Sequence, residues 1–447
     1  MYLAISIIVL IISIQLFKKA AGTLSLVKLN MISWIFYYNI IAQSFIAALL
    51  VVYKLDHHYF IGKMYSDKSR IMGFYAVMYT MISLPIGMIL YNMVSSGISK
   101  NLYFEKYINK KLTFQFIRGE NVLYFTLSSL ALLCILAVIY VFVSIRSLPL
   151  LTALKGNASQ QELAILREDV GRNFGGIVYI KNILALTFTP ILSYIFYIYS
   201  KLNPKRKIKT WFYVLLISSI LILTFNLEKS PIIQYFLGFL FVKILLRENI
   251  QWRSVLKYFL IAFIAIIIIY LTILNQPLLQ LFNYNSGLIG RIILGQSTGT
   301  YLSFDLFPKY HDFIGFDSIS NLLSNLLGLD YSERSARLIM EFYNSRGVDE
   351  GGAGVINSLF IGEAWANFGL IGVLLSPLYV GFITQFINLF FLKNKKTPIL
   401  VGILAYLSYN MPITGGVNDF IYNVFLLTII LAFLFLISWT KVLTKAS

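Results

Sequence analysis

Eleven apolar stretches, each about as long as a bilayer is thick, follow one another along this chain. They fall at 2–17, 31–53, 71–95, 122–145, 175–200, 210–226, 230–246, 254–274, 368–392, 398–413 and 419–440. A spanning helix needs roughly 20 predominantly apolar residues, because only a helix satisfies its own backbone where there is no water. The expected fold is therefore an all-α polytopic membrane protein with about 11 transmembrane helices. It forms a single integral membrane domain over 1–447, since no linker and no internal repeat is visible. With 58% hydrophobic and 13% charged residues, the chain is too apolar for a soluble enzyme and too apolar for a disordered one. Its lone cysteine, Cys134, excludes a disulfide framework and a cysteine zinc site. Lys18 and Lys19 follow the first apolar stretch instead of preceding it, the wrong order for a secretory signal.

The formal charge of +18 looks at first like a nucleic-acid surface, but its distribution is topological. The odd-numbered loops and the C-terminal tail hold 21 Lys and Arg, and the much longer even-numbered loops hold 14. By the positive-inside rule the odd loops are cytoplasmic, the N-terminus outside and the C-terminus inside. KLNPKRKIKT, with five positive charges and no acid, is the clearest cytoplasmic anchor. The two remaining lysines, Lys181 and Lys243, lie near the ends of spans, where they are expected to snorkel. No nucleic-acid partner is expected; membrane lipids are.

One even loop differs from the rest. Residues 275–354 form a large outer loop that is net −3 in a basic chain. Loops of this length are usually functional or disordered. This one carries a folding signal: Asp330 and Glu333 read as an N-terminal cap for a helix over 331–345, with Arg334 and Arg337 one turn apart and GVDEGGAG ending it.

Short polar segments bounded by Gly or Pro cluster on the predicted outer side. LREDVGRNFGG contributes Arg167 and Arg172, and the tight turn LEKSP contributes Glu228 and Lys229. RIILGQSTGTYLSFDLFP brings Arg291, Gln296 and Asp305, and GGAGVINSLFIGEAWANFG brings Glu363 and Asn367. Several arginines at a membrane surface suit phosphate or pyrophosphate, because a guanidinium is a planar fork of donors that stays charged. The bland alternative pairs each arginine with a neighbouring acid or a lipid headgroup. The apolar run from Val355 to Leu392 is too long for one straight span, so its first part is expected as a half-inserted or interfacial helix carrying Glu363 and Asn367 one turn apart. An ionisable residue at that depth is a functional candidate, as a general base or as the partner that orients an arginine. Glu228 and Asp305 are weaker candidates of the same kind. His57 and His58 are adjacent and His311 is alone, so no metal cluster is expected. There is no P-loop and no dinucleotide fingerprint.

These segments, from about 163 to 410, resemble the ordered motifs of the Wzy-type oligosaccharide repeat unit polymerases, also called O-antigen polymerases; GEAWANFG is the most specific of them. The resemblance implies a GT-C-like fold in the bacterial cytoplasmic (inner) membrane, with the active site on its outer face. It implies a glycosyltransferase that moves the growing glycan from undecaprenyl pyrophosphate to the next lipid-linked unit, in O-antigen, lipopolysaccharide or capsule-type synthesis. Its substrates are undecaprenyl-pyrophosphate-linked oligosaccharides, it needs no cofactor or metal, and a chain-length regulator (a polysaccharide co-polymerase) is an expected partner. On this reading Glu363 and Arg291 are catalytic, while Arg167, Arg172, Lys229, Gln296, Arg334, Arg337 and Asn367 bind substrate. The alternatives are an O-antigen ligase and a lipid-linked oligosaccharide flippase or transporter. A transporter should carry charges along a central path and show repeat symmetry.

Overall fold

A computed structural model describes the chain apart from residues 97–102, 115–119, 156–158, 172, 229, 249–252, 254–259, 261–263, 265–281, 286, 329 and 447. The described residues are helical and contain no strand. Among the described residues eight helices are long and apolar enough to cross a membrane, and Ser230–Leu246 and Pro398–Asn410 are shorter apolar ones. Each of these ten coincides with a predicted span. The eighth expected span, 254–274, lies outside the described residues save for isolated positions. Broad faces of large apolar side chains stay uncovered, among them Ile7, Ile8 and Ile11 on Tyr2–Ala21 and Leu132, Leu133 and Leu136 on Glu120–Ser144. Water does not tolerate such faces, and lipid does.

The chain divides into two compact units. The first comprises Met1–Leu102, Gln251–Leu389 and Met411–Tyr422, and the second Tyr103–Ile250, Phe390–Asn410 and Asn423–Ser447. Each is assembled from three separated pieces of chain, so no linker marks the division in sequence.

In the first unit Tyr2–Ala21 packs along Asp67–Ser96, tied by Ser13 Oγ donating to the Met81 carbonyl at 2.9 Å. Part of the expected outer loop folds here onto an apolar core of Leu302, Leu306, Ile339, Met340, Tyr343 and Ala366. The loop is thus structured by ordinary burial of apolar area, the dominant favourable contribution to folding.

In the second unit Ile180–Leu202 is central, packed by Arg206–Thr224, Glu120–Ser144 and Pro398–Asn410. It opens with a π-helical stretch, Ile180–Phe188. Two lysines cross-cap helix ends in this unit. Lys110 Nζ donates to the carbonyls of Leu392 and Asn394, both at 3.0 Å, and Lys396 Nζ to those of Ile108 and Lys110 at 2.9 and 3.1 Å. The last carbonyls of a helix have no partner inside it and attract cations, so each lysine answers the deficit near the other's position.

Candidate functional site

Arg334 is the centre of a fully engaged charge cluster in the first unit. It sits at the cap position of the helix Ser335–Tyr343 with extended backbone, φ −66° and ψ 149°. Its Nε and Nη2 donate to the two oxygens of Glu363 at 2.8 and 2.9 Å. Nη1 and Nη2 donate to the two oxygens of Asp419 at 2.8 and 3.2 Å. The guanidinium is therefore gripped on two edges by two bidentate carboxylates, the strongest geometry such pairs adopt. Burial alone would lower the Arg334 pKa, but Glu363 and then Asp419 outweigh it and raise it, so the cation is locked in.

The expected helix over 331–345 is corrected by this arrangement. The helix starts four residues later than predicted, and no side chain caps it. Asp330 and Glu333 lose the role because Arg334 must stay extended to reach Glu363 and Asp419, partners 29 and 85 residues away.

Glu363 lies on Phe360–Lys393, whose helical course breaks at Gly369 with φ 56° and ψ −138°. Left-handed φ of this kind is strained for any residue with a Cβ. A short helical segment carrying Glu363 and Asn367 thus precedes the break. The break frees the carbonyls of Ala366 and Asn367, which accept from the backbone N–H of Ile314 and Gly315, both at 3.0 Å. Glu363 itself is buried and also accepts from the Asn418 backbone N–H at 3.0 Å.

A neutral polar chain extends the cluster. Asn367 Nδ2 donates to Asn418 Oδ1 at 2.9 Å, and Asn418 Nδ2 donates to both oxygens of Ser318 at 3.0 Å. Gly416 lies flat on the ion pair: a Cβ there would overlap Glu363 Oε2 and Arg334 Nη2. Asp419, Asn418 and Gly416 come from TGGVND, a Gly-bounded polar segment like the others. Sequence reading missed it because the segment holds no arginine and Asp419 begins an apolar run.

The other predicted residues divide by place. Arg337 donates to Glu341 at 2.7 Å and to the carbonyls of Ala353 and Gly354 at 2.9 and 3.1 Å, so it clamps the GGAG segment. Gln296 accepts from Asn357 at 3.0 Å, and Gly299 N–H donates to the Asn357 carbonyl at 2.9 Å, which joins RIILGQSTG to VINSLF. Arg291 is exposed in the last turn of the short helix Leu288–Ile293. Asp305 accepts from Tyr65 N, Ser66 N, Ser69 Oγ and the Tyr343 hydroxyl, a structural hub with both oxygens engaged. Arg167 is exposed on Gln160–Gly171 in the second unit. Arg172 and Lys229 lie outside the described residues.

Chemically the cluster is one cation between two anions, net −1. It holds a guanidinium rigidly and leaves about a third of the Arg334 side chain and a quarter of the Asp419 side chain exposed, at 34% and 26%. The Glu363 side chain, at 3%, has both oxygens taken by donors. Of the two roles open to it, orienting an arginine is the one this geometry performs.

Comparison with protein families, with characterised proteins and with solved structures finds no match to this chain.

Proposed function

We propose that this protein is a membrane glycosyltransferase that polymerises lipid-linked oligosaccharide repeat units on the outer face of the bacterial cytoplasmic membrane. On this reading it has eleven spans and a GT-C-like arrangement, with its N-terminus outside and its C-terminus inside. The observation that carries the reading is the meeting of three separated segments at Arg334. GEAWANFG supplies Glu363 and Asn367, RSARL supplies Arg334 itself, and TGGVND supplies Asn418 and Asp419. A protein serving only as a lipid anchor has no use for a triad of charges held this tightly at the end of apolar helices, since charges there are costly.

In the reaction an acceptor sugar hydroxyl attacks the anomeric carbon of the donor glycan. The carbon–oxygen bond to pyrophosphate breaks, and the electron pair leaves with undecaprenyl pyrophosphate. A single displacement inverts the anomeric centre. Arg291 neutralises the departing pyrophosphate, the kind of electrostatic stabilisation that is usually the largest contribution to catalysis. The hydroxyl proton needs a carboxylate with accessible oxygen. Asp419 meets that requirement better than Glu363, whose oxygens hold Arg334 in place. Gln296 and Asn367 brace the segments that line the site.

The test is a chain-length ladder from cells carrying single variants. Arg291→Ala, Glu363→Ala and Asp419→Asn should each remain in the membrane while long glycans vanish and single-repeat products accumulate. Normal ladders from all three would overturn the reading. Elongation of lipid-linked substrate by purified protein without any gradient separates the enzyme from an exporter.

A further inference from the structure

The second unit holds a cavity of about 300 Å³, lined by both polar and apolar side chains, that no role above uses. Its walls come from Ile180–Leu202, Arg206–Thr224, Ser230–Leu246 and Pro398–Asn410, together with Gly171 and Glu228 from two of the Gly- or Pro-bounded segments. We propose that this cavity binds a neutral saccharide ring, held by the amides of Asn182, Asn226, Gln234 and Asn410 and the carboxylate of Glu228, with Tyr406 as an aromatic wall.

Three observations argue for a ligand and for its class. The first is an unanswered acceptor. Asn226 is 7% exposed, and its Oδ1 has no hydrogen-bond partner among the described residues, while its Nδ2 donates to Glu228 at 2.9 Å. A buried acceptor left unpaired is costly, and a ligand hydroxyl is the natural donor to repair it.

The second is charge. Snorkelling was expected of Lys181, but the π-helical start of its helix buries it instead. Its ammonium donates to the carbonyls of Val170 and Gly171, near the C-terminus of Gln160–Gly171, and stands over the Phe174 ring. The one described lysine at the cavity is therefore already engaged, and Glu228 offsets its charge. Among the described residues that line the cavity, an anionic ligand such as pyrophosphate finds no uncompensated cation.

The third is the donor–acceptor set. A primary amide presents donors and an acceptor side by side, which matches vicinal hydroxyls that are themselves both. Aromatic rings offer apolar faces for the carbon–hydrogen face of a sugar. Two of the lining rings are fixed: the Tyr409 hydroxyl lies 2.9 Å from that of Tyr194, and the Tyr235 hydroxyl lies 2.7 Å from Ser193 Oγ. The volume lies at the low end of ligand pockets and suits one ring better than a chain. That the ring is a residue of a lipid-linked glycan rests on the function proposed above; that the cavity takes a saccharide does not.

The experiment is saturation-transfer difference NMR on the full chain in lipid nanodiscs, with a panel of methyl glycosides at millimolar concentration. At least one glycoside should take up saturation at its ring protons. Asn226→Leu should weaken that binding about tenfold, the effect of losing one hydrogen bond to a buried group. Gln234→Leu, on a half-buried residue, should weaken it in the same direction and serves if Asn226→Leu does not fold. The assignment is overturned if no glycoside responds, if neither variant weakens the response, or if inorganic pyrophosphate binds in the glycosides' place and is lost in Asn226→Leu. Glycoside binding that behaves as described, with chain-length ladders normal in all three variants of the first unit, would retain the cavity and remove the polymerase.

Discussion

In the first unit Arg334, Glu363 and Asp419 satisfy one another's charges. In the second, Asn226 lines a cavity and keeps a buried oxygen that no described residue answers. Removing one member of a saturated cluster strands its partners, whereas removing a group that already lacks a partner strands little. Polarity built for rigidity and polarity built for reception should therefore respond in opposite ways to the same kind of mutation.

The largest effect is expected from Glu363→Leu. It leaves Arg334 with Asp419 alone and the Asn418 N–H with no acceptor, at a cost of about 3 kcal/mol, the low end for a buried pair because part of Arg334 remains exposed. Thermal unfolding in detergent should show the drop, and an unchanged midpoint would mean the cluster is not structural. Gly416→Ala comes next. Its new methyl collides with both members of the pair and should cost about 2 kcal/mol, as overpacking does.

A smaller effect is a pH dependence confined to the second unit. Burial, and then the like charge of Arg247, pushes the Lys396 ammonium down to about 8 from its usual 10.5. The unfolded chain therefore binds this proton more tightly than the folded one, and the penalty is fully present at neutral pH. Stability should rise between about pH 8 and about pH 10.5, where only the unfolded state keeps the proton. Lys396→Met should flatten that rise; an identical slope in the variant would assign it to other groups. The smallest effect is Asn226→Leu, expected within about 0.5 kcal/mol of the parent, since it deletes an orphaned acceptor and one bond to exposed Glu228. A loss as large as that of Glu363→Leu would break the contrast between the units.

The spans were legible because apolar length is a local property that any window of sequence displays. The segment carrying Glu363 was legible for a related reason: 38 apolar residues cannot make one straight span, and the chain breaks at Gly369. What stayed hidden depended on distant partners. Asp330 and Glu333 form a sound local cap signal, yet Glu363 and Asp419 hold Arg334 where the cap would have to form. Lys181 looked like a snorkelling lysine because nothing nearby in sequence shows that the carbonyls of Val170 and Gly171 await it. Arg337 looked like a phosphate ligand, but it closes on Glu341 and the GGAG backbone. Charge type can be read from one residue; whether the charge is already spoken for cannot.

Gly416 has a consequence for recognising relatives of this chain. The ion pair leaves no volume above it for any side chain, so the constraint falls on an absence of atoms instead of on a chemical group. A methyl group at this point would collide with the carboxylate and the guanidinium together. An arginine, then Glu-x-x-x-Asn, then Gly-x-Asn-Asp, in that order, is a pattern in which the vacant position is as diagnostic as the occupied ones.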